Sequence, residues 1–123
     1  PQVIRELIKV KDSYNCDSIS IAGATAAIED QAWLKETRTA ILATRARMTG
    51  ELREMGFNVV DSNANFVWCT LDSTPVEPIY RELKQAGVLV RYMLYPNWGD
   101  GLRITVGSDE QVDACLGLLK GLV

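Results

Sequence analysis

The apolar residues of this 123-residue chain follow two periods, one helical and one extended. From Gln31 to Met55, Leu34, Ile41, Met48 and Met55 recur every seventh position and Leu52 fills the same face, which predicts one long amphipathic helix. Arg45, Arg47, Glu51, Arg53 and Glu54 mostly take the other side, with Arg47 and Glu51 in i,i+4 register. Gly56 is the expected stop. Earlier in the chain, Val3, Ile4, Leu7 and Ile8 have helical spacing behind Pro1, a residue suited to a first turn. A polar break at Tyr14 and Asn15 follows. Ser18 to Ile28 then holds no charge and many small side chains, predicting a second helix that ends or bends near Asp30.

Beyond Gly56 the period shortens. Phe57 to Val60 and Ala64 to Leu71 read as strands around a turn at residues 61–63. Asn65 opens the second strand, where local hydrogen bonding in the turn is its plainest role. Thr74, Pro75 and Glu77 fit a capping box with proline at the first helical position. Pro78 fits less well, because it lacks an amide the first turn would use, and it allows a start a few residues later. That helix runs to about Ala86 and stops at Gly87.

Gly87 to Gly107 reads as two apolar strands, each with one arginine. Val88, Leu89 and Val90 lead into Arg91, and Leu102, Ile104 and Val106 alternate with Arg103 and Thr105. Pro96, Asn97, Gly99, Asp100 and Gly101 form the expected loop between them. Ser108 and Gln111 make a second capping box, before a helix striped by Val112, Cys115, Leu116 and Leu119. The predicted order is α-α-α-β-β-α-β-β-α. It defines an α+β fold: a small, mostly antiparallel sheet covered on one face by helices. The other face, carrying Arg103 and Thr105, is expected to be open to a partner or ligand.

Composition narrows the chemistry. A net charge of −3 without a basic stripe argues against nucleic acid. No apolar run is long enough for a membrane helix, and no signal-peptide pattern is present. Cys16, Cys69 and Cys115 are odd in number and widely spaced, which points to core packing in a reducing compartment, the cytoplasm, and not to disulfides or zinc. The chain has no histidine, so imidazole serves neither as general base nor as metal ligand, and no metal site is expected.

Arginine on a strand has two readings. Arg91 and Arg103 either sit in solvent on an exposed edge or pair with Asp and Glu, or they hold an anionic ligand. The residues alone leave both open.

The run GVLVRYM and LRITVG with its capped terminal helix resembles the C-terminal region of the fold-type I, pyridoxal-phosphate-dependent aminotransferases, nearest to the histidinol-phosphate subgroup. Asn65-Phe66-Val67 matches that subgroup's Asn-Phe-Val, and Tyr14-Asn15 with the uncharged helix after it resembles the segment following the cofactor-lysine loop. Val112 is a departure, standing where family members often carry Asn. The resemblance covers almost the whole chain in order, and about the last third of a complete enzyme.

The resemblance implies that Arg103 grips the substrate's carboxylate or phosphate, that Arg91 contributes to the same anion pocket, and that Asn65 is an active-site neighbour. It implies pyridoxal phosphate in the parent enzyme. No cofactor is expected on this chain, since none of Lys9, Lys11, Lys35, Lys84 and Lys120 lies in the Schiff-base Ser-Lys context. Residues 1–30 are then a helical link to an absent large cofactor-binding domain, and residues 31–123 the small domain. The start at Pro1 without methionine fits an excised domain that is inactive alone. The uncharged segment 18–28 predicts a homodimer or aggregate formed through residues 1–30. A decarboxylase on the same scaffold is the nearest alternative, and an autonomous α+β ligand-binding or dimerisation module is the alternative of another class.

Overall fold

The computed structural model describes residues 2–72, 74–97 and 99–123. Pro1, expected in a first turn, lies outside them. The elements follow the predicted order: α1 (Gln2–Val10), α2 (Ser18–Glu29), α3 (Gln31–Glu54), β1 (Asn58–Val59), β2 (Phe66–Thr70), α4 (Glu77–Gln85), β3 (Arg91–Tyr95), β4 (Gly99–Thr105) and α5 (Asp109–Leu119). The chain divides into two compact units, Pro1–Lys35 and Glu36–Val123.

In the first unit, α2 opens on Asp17, whose carboxylate accepts from the amides of Ile19 at 3.0 Å and Ser20 at 2.9 Å. Two orphan donors of the first turn are satisfied this way. The Ser20 hydroxyl bond and the same amides hold the Asp17 carboxyl below its usual range. Neither α1 nor α2 has a buried residue, and Val3, Ile4, Leu7, Ile8, Ile19 and Ile28 are all exposed.

The second unit holds a four-stranded sheet in the order β1-β2-β4-β3, every neighbouring pair antiparallel. Period-two alternation sends Val67 and Cys69 of β2 and Leu102 and Ile104 of β4 to one face. There they join Met48 and Leu52 of α3, Ile79 and Leu83 of α4, and Val112, Cys115, Leu116 and Leu119 of α5 in a single core. Each fully buried Leu, Ile, Met or Val in it contributes about 1.5–3 kcal/mol of apolar transfer. All four stripe residues predicted on α5 are in that core, where Val112 replaces an amide that would need a buried partner. On α3 the seven-residue stripe is only partly used. Met48 and Leu52 are buried, Ile41 and Met55 are packed against the core, Thr44 is buried, and Leu34 is exposed.

The caps explain most boundaries. Gly56 and Gly87 end their helices at φ +92° and +82°, a conformation costly for other residues. Ser108 accepts from the Gln111 amide while the Gln111 side chain accepts from the Ser108 amide, as predicted for α5.

Three expectations need correction. The capping box at Thr74 does not form: α4 begins at Glu77, its N-cap is Val76 without a side-chain cap, and Pro78 occupies the first turn. The Val76 amide donates instead to Asp100 Oδ2 at 2.9 Å, so a carboxylate from β4 serves the helix start. Val88, Leu89 and Val90 are not strand, which begins only at Arg91. The amides of Gly87 and Val88 still turn back to Lys84 O and Leu83 O in a helix C-cap, and Val88 and Val90 pack against the core beside a cavity of about 350 Å³ that Ile104 and Val112 also line. Gly99, Asp100 and Gly101, expected in the loop, belong to β4 and pair with Tyr95, Leu94 and Met93. Positive φ at Asn97 and Gly99 closes the hairpin in fewer residues than expected.

Candidate anion-binding face

The sheet face opposite the core carries a different set of residues. Phe66 and Trp68 come from β2, Gly101, Arg103 and Thr105 from β4, and Arg91, Met93 and Tyr95 from β3. The register sets Arg103 directly between Trp68 on one side and Arg91 on the other. Two like charges facing each other across adjoining strands are unfavourable unless something compensates them. No carboxylate does so, because neither Arg91 nor Arg103 forms an ion pair among the described residues.

Their positions differ in kind. Arg91 is exposed on β3, the edge strand, whereas Arg103 is half-buried on β4, an interior strand. Arg103 Nε is fully buried without a hydrogen-bond partner. Leaving a charged donor in that state is costly, so such atoms are rare and call for an explanation. The Arg103 guanidinium carbon lies 5.2 Å from the centroid of the Phe66 ring, within cation–π range. The exposed-edge reading therefore describes Arg91 and fails for Arg103.

The aromatic residues shape the rest of the face. Trp68 leans the other way, over Gly101: a Cβ built there would stand 2.2 Å from Trp68 Cζ2. Its ring meets Tyr95 edge-on, with centroids 5.8 Å apart. The Asn-Phe-Val motif points to Phe66, whereas Trp68 and Tyr95 carry no motif and Gly101 reads from the sequence only as a loop residue. Trp68 lies two residues beyond Phe66, so alternation along β2 is the signal that places it on this face.

Asn65 stands at the strand start and is exposed. Its carbonyl accepts from the Val106 amide at 2.9 Å, while the turn is closed by Ser62, whose hydroxyl donates to Phe66 O and accepts from the Ala64 amide. Ser62 thus takes the turn role first read for Asn65.

The remaining charges are structural. Arg47 pairs with Glu51 at 3.0 Å, as predicted, and also with Asp109 at 3.1 Å and Asp113 at 2.7 Å, joining α3 to α5. Its three carboxylate partners, Asp109 foremost, push the guanidinium pKa upward. Burial pushes the Cys69 thiol up to about 12 and the Cys115 thiol to about 11, so both are inert packing groups. No group of metal-ligating side chains occurs among the described residues, and no helix is long and apolar enough to cross a membrane.

All five lysines are exposed. Lys9 pairs with Glu6, Lys11 with Asn15 and Lys120 with Glu51, and Lys84 lies over the Tyr80 ring. None lies on a strand of the sheet.

Fold and face together define an α+β domain that offers, on the sheet face opposite the core, two arginines without an ion pair among the described residues. The chain belongs to the aminotransferase class I and II family, whose model matches residues 1–119. It is 52% identical over 120 residues to the histidinol-phosphate aminotransferase of Rhodopirellula baltica, covering 98% of this chain and 33% of that protein. Against histidinol-phosphate aminotransferase 1 of a Nostoc species, it is 42% identical over 123 residues, which is 100% of this chain and 35% of the relative. The chain thus spans about a third of the length of these curated relatives. Among solved structures, the histidinol-phosphate aminotransferase of Clostridium acetobutylicum superposes with a TM-score of 0.68 at 26% identity, over 76% of this chain and 29% of that one. A decarboxylase from Sulfurospirillum multivorans reaches a TM-score of 0.80 at 22% identity, over 98% of this chain and 36% of that one, a likeness of fold alone.

Proposed function

We propose that this chain is the small C-terminal domain of a pyridoxal-phosphate-dependent aminotransferase of the histidinol-phosphate type, and that Arg103 and Arg91 bind the anionic end of its substrate. The observation that carries this reading is the buried, unpartnered Nε of Arg103 opposite Arg91 on an open sheet face. A carboxylate or phosphate placed there would accept from the planar guanidinium edge in a bidentate fork and cancel the like-charge pair. Held at that end, a substrate presents its other end to groups outside this chain. In this reading Asn65 is a neighbour of the site, and residues 1–30 link to a larger cofactor-binding domain. The parent protein passes an amino group from a donor to an oxo-acid or imidazolyl-acetol-phosphate acceptor, and this domain alone is inactive. In this reading the domain's share is recognition, and the transfer chemistry belongs to the rest of the parent.

Thermal unfolding in phosphate and in chloride at equal ionic strength tests the reading on the chain itself. Phosphate at ten times its dissociation constant stabilises by about 1.4 kcal/mol. For a domain of this size that raises Tm by about 6 °C or more. Arg103→Gln should abolish the difference. Equal Tm in the two salts, or an undiminished phosphate response in Arg103→Gln, would refute the assignment.

A further inference from the structure

We infer that Phe66 is a positioning residue for Arg103, holding the guanidinium by its face so that its edge donors stay free for an anion. The inference rests on the anion-binding reading above and adds what orients the arginine.

The argument starts from the cost of order. An arginine side chain carries about 2 kcal/mol of rotamer entropy, much of which is lost when it is fixed for a bidentate contact. Proteins commonly fix such a side chain with a carboxylate, as Arg47 is fixed here by Glu51, Asp109 and Asp113. That device consumes N–H donors and neutralises the charge. Among the described residues Arg103 has no such partner. What it has is the Phe66 ring, one strand over and diagonal to it, since Phe66 is register partner to Thr105 and Trp68 to Arg103. An aromatic face attracts the cation through its quadrupole and uses none of the in-plane N–H groups. The neighbouring ring does not compete for this place, because Trp68 leans toward Gly101, where the missing Cβ makes room for it. The division of labour is therefore specific: glycine accommodates Trp68, and Phe66 takes the guanidinium.

The test compares Phe66→Leu with Phe66→Tyr, which keeps the ring, using NMR of the Arg103 Nε–H group in the intact chain and inorganic phosphate as the probe. Without phosphate, the unaltered chain and Phe66→Tyr should show an ordered, ring-shifted Nε–H resonance, and Phe66→Leu should show a mobile one. With phosphate, Phe66→Leu should bind about 2- to 10-fold more weakly, the range of a cation–π contact, while Phe66→Tyr binds as the unaltered chain does. An Arg103 Nε–H that stays equally ordered in Phe66→Leu overturns the inference. So does equal phosphate affinity across all three proteins. Should Phe66→Leu unfold, Phe66→Tyr still decides: a mobile Arg103 despite the retained ring is contrary to it. A failure of the anion-binding reading looks different, because the unaltered chain would then keep an ordered Arg103 that phosphate leaves unshifted.

Discussion

Gly101→Ala isolates the packing that shapes the open face. Gly101 is buried and has no positive φ, so alanine meets no backbone strain there. The difficulty is the Trp68 ring, with Cζ2, Cη2 and Cε2 at 2.2, 2.6 and 2.8 Å from the new Cβ. Carbon atoms pack at about 3.5–4.0 Å, so the ring must withdraw by more than about 1 Å. An indole has only two side-chain torsions with which to do so, and moving it breaks the edge-on contact with Tyr95. Overpacking of this kind costs about 1–3 kcal/mol, and an aromatic pair about 0.5–1.5 kcal/mol. A net loss of about 2 kcal/mol lowers Tm by roughly 8–16 °C in a unit the size of residues 36–123. Near-UV circular dichroism during thermal unfolding reads both the midpoint and the loss of the tryptophan signal. The same substitution in a Trp68→Leu background should cost much less, because the two positions are coupled through one contact. A Tm within about 2 °C of the parent, or a cost unchanged by Trp68→Leu, would show that the ring does not depend on the glycine.

Two pH predictions follow from the charges. Burial raises the Cys69 and Cys115 thiols from 9.0 to about 12 and about 11, so the native chain keeps protons that the unfolded chain sheds. Stability is therefore full below the unfolded value and falls as pH rises above it, by at most about 1.4 kcal/mol per pH unit for each thiol. Denaturant unfolding from pH 8 upward should show this slope, and Cys69→Ala with Cys115→Ala should flatten it, which an unchanged slope would contradict. At the acid end, Lys120 and then Arg47 hold the Glu51 carboxyl below its usual range, and Arg47 and then Thr44 hold Asp109 below its own. Their contribution is present above the unfolded carboxylate values and lost as pH falls through the depressed native ones. Arg47→Gln should lower Tm at pH 7, with the deficit shrinking in acid, and a deficit independent of pH would exclude the ion pairs as its cause.

Much of the fold was legible because its signals are local. The α5 stripe and its capping box, the alternation of Leu102, Ile104 and Val106, and the glycine stops at Gly56 and Gly87 each depend on a few adjacent residues. The errors arose where a distant group intervened. Asp100 caps the start of α4 from another strand, which no inspection of Thr74 to Glu77 reveals. Val88 to Val90 have strand composition, yet the C-cap bonds of Gly87 and Val88 hold the segment's start at the end of α4. For the site, alternation put Arg103 on the outer face, but its burial and missing partner emerge only when Phe66, Trp68 and Arg91 surround it. Arg47 likewise appeared as one i,i+4 pair, and its bonds to α5 required the tertiary fold.

The central claim is that Arg103 recognises the anionic end of the substrate, and the most direct measurement is kcat/KM for Arg103→Lys in the full-length parent, alongside its affinity for pyridoxal phosphate. Lysine keeps the charge and loses the fork, forfeiting directional bonds of about 1.5–3 kcal/mol each. The account predicts a fall of roughly ten- to a hundred-fold in kcat/KM with cofactor affinity unchanged. Near-normal kcat/KM for every anionic substrate tested would contradict it.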